Sequence, residues 1–328
     1  MTPGGVVSFS DITNKQVKEL LDTLQGYAKR SIQTNYTVSA ESVTEAQVSA
    51  AQALVDEISA LVKIGTKADS INSLLLKLYT IIPRQMKHVQ DHLFGNITNQ
   101  ATLKEAEQKI DAEQSVLDAM AGQVALNKKK GATTAAQASV LDAMGLEIEE
   151  ASASDVAKIK KMMGPNANQF KRAFKVVNKK TEVAFKTRLA SAKDKSVELL
   201  WHGSRNENWF NILGTGLLIR PSGAVHTGSM FGDGIYGANK AQKSIGYTSY
   251  SGSYWANGKD KKAYLALFDF HVGKQKVLTS ACSSMSERKL KSEGYDSVYA
   301  QAGYSLRNDE FIVYNTSAVT VRFIIEIG

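Results

Sequence analysis

Apolar residues recur at helical spacing along the first half of the chain. Val17, Leu20, Leu21, Leu24 and Tyr27 share one face of a segment running from Ile12 to about Arg30, which predicts an amphipathic helix. The next segment opens with Ser42-Val-Thr-Glu45, the spacing of a capping box, and continues with Val48, Ala51, Leu54, Val55, Ile58 and Leu61 on one stripe. A third helix is predicted from about Asp69, carrying Ile71, Leu74, Leu75, Leu78 and Ile82, and Pro83 stops it. Two alanine-rich stretches, around 101–122 and 133–151, predict further helices. They share the words Ser115-Val-Leu-Asp-Ala-Met120 and Ser139-Val-Leu-Asp-Ala-Met144, read as a common packing solution rather than a repeat architecture. The Lys128-Lys-Lys-Gly131 run between them reads as a solvated loop.

Near Gly164-Pro165 the pattern changes. Alternation takes over, most clearly where Val319, Val321, Phe323, Ile325 and Ile327 fall on one face of a predicted strand. Further strands are predicted at Tyr264–Val272, Val197–Trp201 and Glu310–Tyr314, with short helices over Asp155–Met163, Asn206–Leu213 and Lys240–Tyr247. The implied fold class is α+β: an N-terminal all-α helical bundle ahead of a domain built on a sheet.

A chain of 328 residues accommodates two domains. Charge divides along the same line: residues 1–150 carry a net −4 and residues 151–328 a net +12. That asymmetry suits a second half that meets an anion, whether a dinucleotide, a nucleic acid or a polyanionic product, and on charge alone it equally suits a solvated basic face. The one cysteine, Cys282, has no disulfide partner and no metal-ligand spacing around it. No stretch of about 18 apolar residues predicts a membrane span, and the start MTPGGVVSFSD lacks the basic and apolar regions of a signal peptide. An intracellular protein with no membrane partner is expected.

Gly232, Gly234 and Gly237 form a G-x-G-x-x-G, but no apolar strand leads into it, so a dinucleotide-binding βαβ reading is rejected. More informative is Leu199-Leu-Trp-His-Gly-Ser-Arg205, where an apolar strand runs into a ring, a bare backbone and a hydroxyl. Glycine lets a ligand approach main-chain N–H and C=O, a pair that can bind a primary amide; a locally satisfied histidine and a glycine turn explain the same residues. Downstream, Ser244 and Tyr247 lie one helical turn apart, Tyr236 ends a glycine-bent segment, and Glu310 begins an apolar strand.

Taken in order, LLWHGSR (199–205), ILGTGLLI (212–219), GSMFGDGIY (228–236), KSIGY (243–247) and DEFIVY (309–314) resemble the catalytic domain of the poly(ADP-ribose) polymerases. These are diphtheria-toxin-like ADP-ribosyltransferases with a His-Tyr-Glu triad, and the resemblance spans residues 155–328. More loosely, Thr44–Val48, Leu78–Pro83 and Val140–Glu149 resemble landmarks of the family's helical regulatory domain. The resemblance implies a helical regulatory domain over 1–152 and a transferase domain over 153–328, with a central antiparallel-rich sheet. It implies NAD⁺ as substrate and no metal. Gly203 and Ser244 would hold the nicotinamide carboxamide, Tyr247 and Tyr236 would sandwich its ring, and His202 and Ser204 would bind the adenosine ribose. Glu310 would hold the nicotinamide-ribose hydroxyl and stabilise charge at C1′, with Lys243 beside it. The implied partners are protein acceptors, this chain among them, and DNA ends as activator or acceptor. The implied product is a poly(ADP-ribose) chain, with single ADP-ribose transfer to protein or nucleic-acid ends, or an inert NAD⁺-sensing module, as alternatives. In the family the helical domain restrains NAD⁺ access until a partner loosens it. This chain departs from the pattern at Asn308, where elongating members carry tyrosine, in a shortened 282–304 stretch, and at Arg220 and Ser222 of the donor loop.

Overall fold

The computed structural model describes residues 11–132, 140–219, 230–304 and 306–328. Helix α1 (Lys15–Asn35) begins where the Asn14 side chain accepts from the backbone N–H groups of Gln16 and Val17, and it buries Val17, Leu20, Leu21 and Leu24 as expected. Helix α2 (Glu45–Lys63) has its capping box two residues later than its spacing suggested. Thr44 and Gln47 make it, because Ser42 ends a tight 3-10 turn and its hydroxyl donates to the Ser39 carbonyl instead. Helix α3 (Ala68–Ile81) ends before Pro83.

Helix α4 (Gln100–Ala132) runs straight through the lysine run expected to be a loop. Lysine is a good helix former, cations suit a helix C-terminus, and Lys128 pairs with Glu45 of α2 at 2.6 Å. Of the helix expected over 133–151, residues 133–139 lie outside the described residues and only α5 (Val140–Met144) is helical. Gly145, at φ 69°, ends it, and strand β1 (Leu146–Glu150) comes next. In that strand Leu146 is buried while Glu147 is exposed, an alternation that outweighs the helical propensity before it.

The second half then runs as α6 (Ala153–Met163), β2 (Phe170–Asn178), α7 (Lys179–Ser191), β3 (Val197–Gly203), α8 (Trp209–Thr215), β4 (Ile235–Gly237), α9 (Ala241–Ile245), β5 (Ala263–His271), β6 (Gln275–Leu278), α10 (Glu287–Ser292), β7 (Ser297–Ala300), β8 (Glu310–Val313) and β9 (Val319–Ile327). Five strands form one sheet in the order β1-β2-β9-β5-β3, and four form another in the order β4-β8-β7-β6. All pairings are antiparallel except β6 with β7. The fold is thus α+β with an antiparallel-rich sheet, as expected.

The five residues of β9 expected on one face divide between two. Leu267 pairs with Phe323 and Phe268 with Val321, so Arg322 is an extra residue in the strand. A bulge of one residue reverses the alternation. Val319 and Val321 therefore join the core shared with the helices, while Phe323, Ile325 and Ile327 join the core on the other side of the sheet. Arg322 itself is tied to Asp269 and Glu182, at 2.6 Å each.

Two sets of contacts fix the helices against the second half of the chain. Arg172 of β2 reaches Glu326 at 2.8 Å and Glu19 of α1 at 3.2 Å. Along α4, the Ser115 hydroxyl donates to Asn208 at 2.9 Å, and a side chain at Gly122 would meet Asn211 at 3.0 Å. Helix α4 is thereby held closely against α8. Among the described residues no helix is long and apolar enough to cross a membrane.

The corrected cap can be checked by chemical denaturation. Thr44→Ala is expected to cost about 1 kcal/mol, and Ser42→Ala no more than about 0.5 kcal/mol.

Candidate active site

Strand β3 delivers its last residues to the seam between the two sheets. There Trp201 and Ala238 exchange backbone hydrogen bonds of 2.8 and 3.0 Å. His202 is next in the strand, its ring edge-on to Trp209 and Phe268. Its Nδ1 lies 3.0 Å from the Tyr236 carbonyl, which can only accept, so Nδ1 carries the proton and Nε2 is left as an acceptor. Burial lowers the pKa of the ring, with the Tyr236 carbonyl opposing, so the imidazole is neutral at pH 7.

Gly203 ends the strand. A Cβ there would lie 1.9 Å from the Ser244 carbonyl oxygen, so only glycine lets β3 and α9 meet backbone to backbone. That contact buries Ser244. Ser204 comes next, its hydroxyl accepting from Asn208 at 3.0 Å and its carbonyl from the Trp209 indole at 3.2 Å. Tyr247, one turn beyond Ser244, stacks on Trp255 with ring centroids 6.2 Å apart.

Tyr236 is held by its hydroxyl, which donates to the Gly232 carbonyl at 2.7 Å and accepts from the Phe231 N–H at 3.1 Å. Gly232 adopts φ 85°, a conformation that bends the segment back under the tyrosine. The glycine run contains β4 rather than linking a strand to a helix, in keeping with the rejected βαβ reading. Burial raises the Tyr236 phenol above its ordinary range.

Glu310 opens β8 and is buried. Its carboxylate forms an ion pair with Lys243 of α9. Burial raises its pKa, and Lys243 opposes the rise through charge and hydrogen bonding. The neighbouring Asp309 anchors the strand entry, accepting from the Tyr299 hydroxyl at 3.0 Å, Asn239 at 3.2 Å and the Ala302 N–H at 2.8 Å.

His202, Gly203, Ser204, Tyr236, Lys243, Ser244, Tyr247 and Glu310 all line one cleft of about 350 Å³. Asn308 is not among its lining residues, and Arg220 and Ser222 lie outside the described residues. The same cleft is lined by two residues that sequence reasoning missed, Asp111 and Asp118 of α4. Seven positions apart, they sit two turns apart on one helix face, a spacing visible in the sequence but indistinguishable there from a solvated charged stripe. Asp111 is open at the cleft mouth, yet the surrounding protein desolvates it and raises its pKa to about 6, with Arg205 opposing. Among the described residues no group of His, Cys, Asp and Glu side chains could hold a metal ion.

Residues 150–328 match the family model described as the poly(ADP-ribose) polymerase catalytic domain. The chain belongs to this family. Its relatives include a putative poly [ADP-ribose] polymerase-like protein, 100L, of Invertebrate iridescent virus 6, 33% identical over 154 residues that cover 45% of this chain and 80% of the viral one. A second protein of that virus, the uncharacterized 101L, is 32% identical over 157 residues, 47% of this chain and 62% of its own length. Human poly [ADP-ribose] polymerase 2 is 29% identical over 157 residues, 39% of this chain and 26% of the human protein. As a poly(ADP-ribose) polymerase-family catalytic domain, this is an ADP-ribosyltransferase domain with NAD⁺ as its substrate.

The acidic wall has a measurable consequence. Above pH 6 Asp111 is charged and opposes an anion entering the cleft it lines; below it the carboxyl is neutral. Asp111→Asn is expected to tighten NAD⁺ binding about fivefold at pH 7.5, the equivalent of about 1 kcal/mol for one solvent-screened like-charge contact. Calorimetric titrations should show the wild-type affinity rising from pH 7.5 to 5.5 and that of the variant nearly flat.

Proposed function

We propose that this protein cleaves NAD⁺, releases nicotinamide and attaches ADP-ribose to protein acceptors, building poly(ADP-ribose) chains. The observation that carries the proposal is the convergence of Glu310, paired with Lys243, on a cleft lined also by His202, Gly203, Ser244, Tyr236 and Tyr247. In this reading the Gly203 backbone and Ser244 hydroxyl take the carboxamide. The Tyr236 and Tyr247 rings flank the nicotinamide, their apolar faces suiting a flat heterocycle. His202, with Nε2 unprotonated, accepts from an adenosine-ribose hydroxyl, and Ser204 stands beside it.

As the C1′–N bond breaks, its electron pair leaves with nicotinamide and positive charge gathers at C1′. Glu310, held in a desolvated site, stabilises that charge more strongly than an exposed carboxylate would. The acceptor oxygen then bonds to C1′ and its proton passes to solvent or to Glu310. Lys243 opposes the rise that burial causes in Glu310 and so favours the carboxylate form before substrate arrives.

Asp111 and Asp118 support a restraining role for the helical half, since their charge faces the route of an anionic substrate. Protein acceptors, this chain included, are the proposed partners, with DNA ends as a proposed activator acting through the basic second half. A second reading, single ADP-ribose transfer to protein or to nucleic-acid ends, is favoured by Asn308 standing where elongating members have tyrosine.

The test is a denaturing gel after incubation with labelled NAD⁺. The wild type should give ladders; single bands would replace the polymer reading with the second one. Glu310→Gln is expected to lose elongation by at least a hundredfold while NAD⁺ affinity changes less than threefold, and full polymer from that variant would remove Glu310 from the role given to it.

A further inference from the structure

The strands that carry the cleft have a second polar concavity at their other end. Gly203 at the cleft pairs with Leu265, and Val197 at the far end pairs with His271, a separation of about 20 Å along the sheet. At that far end the α7–β3, β5–β6 and α10–β7 connections surround an open cavity of about 1010 Å³.

Its frame is bonded throughout. The Val272 and Gly273 N–H groups donate to the Ser196 carbonyl at 3.0 and 3.1 Å, and Asp296 N–H to the Lys274 carbonyl at 2.8 Å. The buried His271 forms the floor. Its Nδ1 accepts from Arg188 Nε at 3.0 Å and its Nε2 donates to the Asp194 carbonyl at 2.7 Å. The ring is therefore neutral and fully engaged, and it fixes the loop that bears Lys193 and Lys195.

Five cations line the cavity, Arg188, Lys193, Lys195, Lys274 and Lys291, against the carboxylates of Asp194 and Asp296. Both carboxylates already serve the frame: Asp194 accepts from the Ser196 N–H and hydroxyl at 2.9 and 2.6 Å, and Asp296 from the Lys274 N–H at 2.8 Å. Glu287 takes up Lys291 at 2.8 Å and approaches Arg188 at 3.5 Å. Three ammonium groups remain. Lys193 and Lys195 make no hydrogen bond or ion pair among the described residues, and Lys274 lies 4.9 Å over the Tyr295 ring.

Cations gathered in a concave site repel one another until an anion joins them. Compact ammonium charges suit phosphate oxygens. One carboxylate would balance only one of the three lysines, whereas a diphosphate engages two or more. The volume is at the upper end of the range for small-molecule sites.

We propose that this cavity is a second nucleotide site, separate from the transfer cleft, that binds a diphosphate-bearing nucleotide, namely an ADP-ribose unit. The choice of ADP-ribose among such nucleotides rests on the proposed transfer activity; the diphosphate chemistry does not. The unit can come from free ADP-ribose or from a growing chain.

Calorimetric titration of the full chain with ADP-ribose should resolve two sites. In Lys193→Glu/Lys195→Glu the second site should weaken at least tenfold, with KM for NAD⁺ and the rate of nicotinamide release unchanged. Inorganic pyrophosphate should compete at that site. An ADP-ribose oligomer binding there at least tenfold more tightly than the monomer identifies the chain as the source, and equal affinity identifies the free nucleotide. A single site indifferent to the double substitution overturns the proposal, as does a cavity that binds a single-stranded oligodeoxynucleotide but neither ADP-ribose nor pyrophosphate. Absence of nicotinamide release with the second site intact would overturn the transfer reading and leave this one standing.

Discussion

The structure depends on one seam. Two sheets are joined edge to edge by the reciprocal backbone bonds of Trp201 and Ala238, an isolated bridge between β3 and the end of β4. The cleft beside it takes lining residues from both sheets: β3 with α9, and β4 with β8. His202 leans on the Tyr236 carbonyl across the seam, and Tyr236 is tied back to Gly232. Gly203 makes the geometry unforgiving, since any side chain there would push α9, and with it Ser244 and Lys243, away from the seam.

The buried pair of Glu310 and Lys243 shows how such a site balances charge. Desolvating a carboxylate is costly, and removing one partner of a buried pair typically costs about 3–5 kcal/mol because the other charge is stranded. Here the raised pKa of Glu310 records that cost, partly offset by the lysine. A carboxylate so held is poor at stabilising the fold and well suited to meeting a transient cation, which is what the proposed transfer asks of it.

Much of this was legible in the sequence, and for local reasons. The words around His202, Tyr236, Ser244 and Glu310 each have a bland local explanation, and it was their shared resemblance to one family that brought them together. Helical stripes in α1 and α3 were equally plain. What escaped was decided by tertiary context. The bulge at Arg322 cannot be seen in a strand that alternates without a break, yet it sends Val321 and Phe323 into different cores. Strand β1 hid behind an alanine-rich run, and the lysines at 128–130 read as a loop because their helix gains support from outside itself, in part from Glu45. Asp111 and Asp118 were invisible as site residues because nothing in α4 tells which face lies over the cleft.

Gly145 carries a mechanical implication. It alone separates α5 from β1, and it is bonded on both sides, its N–H to the Asp142 carbonyl and its carbonyl to the Lys179 N–H, each at 2.9 Å. The joint has no slack: α5 cannot shift relative to the sheet without breaking one of these two bonds or carrying β1, and its ladder with β2, along with it.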